Sequence, residues 1–133
     1  VLLPIQCEYY ALEGVTQLMR TIEAVRHAMN KELRLGSILM TMFDGRTRLS
    51  TQVDEEVRTH FARETMSTRI PRSVRVSEAP SYSRSVLTYE PTSAGAVAYR
   101  EAAAEFAKRH ACDEHSTNTS GVKHPDASDT KKG

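Results

Sequence analysis

Two short segments combine arginine with residues that fix the backbone, and that combination points to anion chemistry. Ile70-Pro71-Arg72-Ser73-Val74-Arg75-Val76-Ser77-Glu78-Ala79-Pro80-Ser81 is a proline-bounded loop with two arginines, and Asp44-Gly45-Arg46-Thr47-Arg48 is a turn sequence with two more. Proline fixes φ and biases the residue before it toward extended geometry, so Pro71 and Pro80 are expected to stop Ile70 and Ala79 from continuing a helix. Guanidinium forks held on such a frame suit phosphate, and a sequence-independent grip on a nucleic-acid backbone needs only well-placed positive charge. The competing reading is that nearby acids, Asp44 and Glu78, pair with these arginines and leave them as solvated loop charges.

The segments around these loops should position them. Val1-Leu2-Leu3-Pro4-Ile5, closed by Gln6, reads as a strand buried on both faces of a parallel sheet. It opens as if caught partway, so the chain is expected to be a fragment with neighbouring strands upstream. Leu12, Val15, Leu18, Met19, Ile22, Val25 and Met29 recur mostly at steps of three and four, the stripe of an amphipathic helix. Arg34 to Phe43 reads as a second buried strand ended by Asp44-Gly45. Leu49, Val53, Val57 and Phe61, each four apart, predict a helix from about Leu49 to Arg63, with Asp54-Glu55-Glu56 as its solvated acidic start.

Met66 to Ile70 is expected to be a short strand entering the proline loop, and Ser85 to Tyr89 another short strand. Ser93 is the expected N-cap of a final helix ending near Arg109. The domain is therefore placed at residues 1–110. Residues 111–133, rich in Ser, Thr, Asp, Lys and His, are expected to be a disordered polar tail, because they cannot bury enough surface to offset their ordering entropy. Strands alternating with helices imply a parallel sheet covered on both faces, with ligands at the carboxyl ends of its strands. Both arginine-bearing loops leave such ends.

Composition narrows the function classes. With 133 residues, 39% hydrophobic and 26% charged, the chain suits one small globular domain, and its net charge of +1 confines any nucleic-acid contact to local arginine clusters. Cys7 and Cys112 make no disulfide framework, which fits a reducing cytoplasm. No apolar run in these residues is long enough to span a bilayer, and no basic region followed by an apolar stretch and a cleavage site appears among them, so nothing in them is expected to target a membrane. Tyr9 and Tyr10 read as packing residues and Cys7 as a small buried apolar group. Cys112 and His115 have ligand-like spacing, but two residues fall short of the four ligands of a structural zinc site.

Three segments in order carry a resemblance: Gln6-Cys7-Glu8-Tyr9-Tyr10-Ala11-Leu12-Glu13-Gly14, Thr41-Met42-Phe43-Asp44-Gly45-Arg46-Thr47, and the proline loop. Together they resemble the C-terminal half of ParA/Soj chromosome-partitioning ATPases, over about Val1 to Arg109. The resemblance implies a P-loop NTPase-like α/β fold, of which only the C-terminal half is present, that binds ATP and Mg2+. It implies a homodimer that grips DNA without sequence preference, a ParB-type partner that stimulates hydrolysis, and a cytoplasmic, nucleoid-associated location. No Gly-x-x-x-x-Gly-Lys-Ser/Thr pattern occurs here, so the fragment alone is expected to be inactive.

By position, Pro71 and Arg72 fall where the family's loop packs beside the nucleotide base, with Asp44 a further candidate at the neighbouring strand end. Arg46 and Arg75 fall where the family has DNA-binding arginines. Arg48 stands where Asn is expected and adds a candidate phosphate contact; Ser73 also replaces an expected Asn and alters a hydrogen bond to the base or loop. Two alternatives remain: a non-catalytic DNA- or partner-binding module, and a MinD-like ATPase with another cargo. The polar tail counts against the second, which carries an amphipathic membrane helix.

Overall fold

The computed structural model describes residues 1–116. Its elements run β1 (Leu2–Gln6), α1 (Ala11–Ala28), β2 (Ser37–Phe43), α2 (Arg48–His60), β3 (Thr65–Pro71), α3 (Val74–Glu78), a 3-10 turn (Ala79–Tyr82), α4 (Val86–Tyr89) and α5 (Ala94–Ser116). The three strands form a parallel sheet in the order β1-β2-β3, with Leu3 opposite Ile38, Ile5 opposite Met40 and Phe43 opposite Pro71.

Strand alternation divides the core of the central strand between two faces. Ile38 and Met40 pack with Ile5, Cys7, Val15, Ile22, Val53 and Val57 beneath α1 and α2. Leu39, one residue out of phase, joins Met66, Ile70, Ala98 and Ala102 beneath α5. The small alanines let α5 lie close to the sheet. Helices therefore cover both faces, as the strand and helix periodicities imply.

The Cys7 N–H donates to Thr41 (3.0 Å), and Ser37 donates to the Val1 carbonyl (3.2 Å), so odd residues of β1 bond to β2. Leu2, Pro4 and Gln6 consequently turn their backbone groups away from β2, and on that side Pro4 has no N–H to offer.

Between Ile38 and Met40 on β2, the partner strand advances from Thr65 to Arg69, so β3 bulges. The carboxylate of Glu105 on α5 accepts from the freed N–H groups of Ser67 (2.7 Å) and Thr68 (2.8 Å) and from the Thr68 hydroxyl (2.8 Å). Arg109, one turn on, pairs with Glu105 and donates to the carbonyls of Arg63, Glu64 and Thr65. This pair fastens α5 to the irregular strand.

Several expectations are corrected. Arg34–Gly36 lie outside the strand, and α2 ends at His60, because the Phe61 carbonyl turns to receive both the N–H and hydroxyl of Thr65 (2.9 and 2.7 Å). The proline loop is not extended throughout: past Ser73 it coils into α3 and the 3-10 turn, with Pro80 in the first turn where a missing N–H costs nothing. Ser85–Tyr89 is not a strand. It forms one helical turn that sends Val86 against Ala79 and Ala96.

Ser93 does cap α5, accepting from the Ala96 N–H at 3.2 Å, but the helix continues past Arg109 to Ser116. Residues 117–133 of the expected tail, and the side chains of Cys112 and His115, lie outside the described residues.

Asp54 is not part of a solvated helix start. Its side chain is only 5% exposed and takes Arg58 at 3.0 Å and Arg69 at 2.6 Å, joining α2 to β3. Burial disfavours its charge, but the hydrogen bonds from Arg69 and Arg58 outweigh that and hold the carboxyl below its ordinary range. Burial acts unopposed by any hydrogen bond on Cys7, whose thiol is pushed up to about 11.

Candidate functional site

The carboxyl ends of the three strands bring the arginine-bearing loops to one end of the sheet. At the end of β2 the chain takes an uncommon turn: Met42 has φ 55°, a left-handed conformation that side chains seldom adopt. The Phe43 carbonyl then receives the Arg72 N–H at 2.9 Å, tying the exit of β2 to the exit of β3. Thr47 ends the β2 loop as N-cap of α2, accepting from the Ser50 N–H at 3.3 Å and donating its hydroxyl to Asp44 at 3.0 Å. The loop between Asp44 and Thr47 is thus a closed frame for Arg46.

On that frame Asp44 takes Arg46 in a fork, Nε to Oδ1 at 3.0 Å and Nη2 to Oδ2 at 2.9 Å, with the Arg46 N–H adding a third bond at 3.1 Å. The Arg46 side chain is 91% exposed, so the guanidinium is oriented while its outer face meets solvent. The Arg46 hydrogen bonds draw Asp44 down to about 2. Arg48, the first residue of α2, is exposed and has no carboxylate partner among the described residues.

Arg72 reaches across to Glu8, beyond the end of β1, at 3.0 Å. Pro71 is the last residue of β3 beside it. Tyr9 and Tyr10 follow Glu8 and are exposed, their rings in a T-shaped contact at 5.1 Å, so the packing role expected for them is not observed. Asp44, Arg46, Arg72 and Glu8 make one charged cluster, with Arg72 adding to the field at Asp44.

Arg75 belongs to a second group. It lies on α3 and donates to Glu78 at 3.1 Å, while the Tyr89 hydroxyl donates to the same carboxylate oxygen at 3.5 Å. Tyr89 stacks on Tyr82 at 4.9 Å. No hydrogen bond or ion pair among the described residues joins this group to the Arg46 cluster. Gly95, in the first turn of α5, sets the position of α3: a Cβ there would come within 2.5 Å of Val76 Cγ2 and 3.4 Å of the Ser73 hydroxyl.

The acid pairings foreseen for Asp44 and Glu78 are therefore present, and they leave Arg46 and Arg75 solvent-facing. Glu8 and the Tyr82–Tyr89 stack were missed. Glu8 is 64 residues from Arg72 in sequence, and the tyrosines meet only because residues 85–89 coil.

Parallel strands under helices on both faces, with charged loops at their carboxyl ends, define an α/β unit of the P-loop NTPase kind. A family model described as an AAA domain matches residues 1–35. Over 109 residues the chain is 50% identical to the chromosome-partitioning ATPase Soj of Thermus thermophilus, a match covering 82% of this chain and 44% of that protein. The chromosome partitioning protein ParA of Caulobacter vibrioides is 50% identical over 109 residues, 82% of this chain and 41% of its own length. The sporulation initiation inhibitor protein Soj of Bacillus subtilis is 47% identical over 107 residues, 80% and 42%. The chain is thus similar, at 47–50% identity, to proteins named Soj and ParA, and it spans less than half the length of the curated relatives it matches. No helix among the described residues is long and apolar enough to cross a membrane.

Proposed function

We propose that this chain supplies the DNA-gripping part of an ATP-dependent chromosome or plasmid partitioning protein. The observation that carries the reading is the presentation of Arg46 and Arg75, each oriented by one carboxylate and each open to solvent, at the loop end of a Soj/ParA sheet. Phosphate oxygens can take the outer N–H groups of such a fork without sequence preference. Arg48, which has no carboxylate partner among the described residues, adds a third contact at the start of α2.

The 133 residues contain no glycine-rich phosphate loop, so their offer to ATP is a wall beside the base, formed by Pro71 and Arg72, with Asp44 already engaged by Arg46. Phosphates and Mg2+ fall to residues outside this chain, which alone does not hydrolyse ATP. Binding of ATP supports a homodimer that aligns two sets of arginines on one duplex, and a ParB-type partner stimulates turnover.

The test is DNA binding by the full-length protein with and without ATP, native against Arg46→Ala and Arg75→Ala. ATP-dependent binding lost in both variants is the expected result. Binding indifferent to ATP would favour a non-catalytic DNA-binding module; binding indifferent to both substitutions would remove the assignment of these residues.

A further inference from the structure

The opposite pole of the sheet, at the amino ends of the strands, holds a cavity of about 610 Å³. Four arginines, Arg26, Arg34, Arg63 and Arg109, line it together with His60 and His110, against a single carboxylate, Glu64. They come from α1, from the segments entering β2 and β3, from the end of α2 and from α5, so the concentration of cations is built by the fold.

Their states differ usefully. Arg109 is consumed by structure, holding Glu105 and three carbonyls, and Arg26 is paired with Glu23 at 2.9 Å. Arg63 has no carboxylate partner among the described residues. His60 engages the Glu56 carbonyl through Nδ1 at 2.9 Å, which places its proton there and leaves Nε2 as the second polar atom of the ring. Gly36 closes one wall so tightly that a Cβ would lie 3.1 Å from His110 Cε1. Met19 and Phe61 supply an apolar side.

We propose that this cavity binds a small polyanion carrying at least two phosphate groups. Its volume lies within the range of small-molecule sites, about 300–1,000 Å³. Arg63, the lining arginine with no carboxylate partner among the described residues, offers a fork that suits phosphate oxygens, and the other lining cations add positive field around it. The cavity is at the far pole from Arg46 and Arg75, so the inference stands whether or not those residues bind DNA.

Met19 is the reporter. In the full-length protein labelled with 13C-methyl methionine, with Met19 assigned by Met19→Leu, inorganic tripolyphosphate at constant ionic strength is expected to shift the Met19 methyl saturably. Arg63→Ala should weaken that response roughly tenfold or more. Arg84→Ala, outside the cavity, should not. The buried Met40 and Met66 methyls verify that each variant is folded. An unmoved Met19 signal, an equal response in Arg63→Ala, or an equal response to citrate would overturn the proposal.

Discussion

Two sets of arginine–carboxylate pairs in this molecule have similar bond lengths and opposite environments. Asp54 holds Arg58 and Arg69 between α2 and β3, where the carboxylate is almost sealed from water. Asp44 and Glu78 hold Arg46 and Arg75 on loops in solvent. The inner set cannot be separated without stranding a buried charge, so it belongs to the fold. The outer set can exchange or share its partner with an incoming phosphate at little structural cost, so it can work as a binding surface.

The largest effect should come from breaking the inner set. Asp54→Ala leaves two partly buried guanidiniums uncompensated and is expected to lower stability by about 3–5 kcal/mol, read by denaturant unfolding. Glu105→Ala follows, because it strands the bulge N–H groups of Ser67 and Thr68 and a partly buried Arg109. A loss of about 2–3 kcal/mol is expected by the same measurement.

Acid titration sharpens the contrast. Asp54 and Glu105 sit below their ordinary values of 3.8 and 4.5, held there by hydrogen bonds that outweigh burial. The unfolded chain therefore binds protons first. The stability these groups contribute is complete above those ordinary values and is lost as pH falls through the lower folded ones. Midpoints of unfolding should drop below about pH 4, and Asp54→Ala should flatten that dependence.

Gly95→Val should have a smaller and more local effect. The added side chain meets Val76 and displaces α3, which carries Arg75. DNA affinity should fall while the β-sheet core remains folded, as judged by circular dichroism. Smallest of all, Asp44→Asn should leave the unfolding midpoint unchanged while loosening the Arg46 fork.

Much of this was legible in the sequence because the signals were long. The helix stripe from Leu12 to Met29, the four-residue spacing from Leu49 to Phe61, and the apolar run into Phe43 each span enough residues to fix a period. Ser85–Tyr89 is too short to separate strand from helical turn, and packing of Val86 against Ala79 and Ala96 decided it. The loop arginines and their acids were readable because Asp44–Arg46 and Arg75–Glu78 are close in sequence. Glu8–Arg72 and Glu105 on the β3 bulge are long-range, with no local pattern to announce them. Asp54 was hidden among Glu55 and Glu56, since a row of acids does not say which one turns inward.

The most direct measurement is the salt dependence of DNA affinity for the full-length protein with ATP, native against Arg46→Ala and Arg75→Ala, alongside unfolding midpoints. Each substitution removes one phosphate contact per protomer, two per dimer, and should reduce the slope of log affinity against log salt by about 1.8 without moving the midpoint. Unchanged affinity and slope in both variants would contradict the claim that the solvent-facing arginines are the DNA contacts.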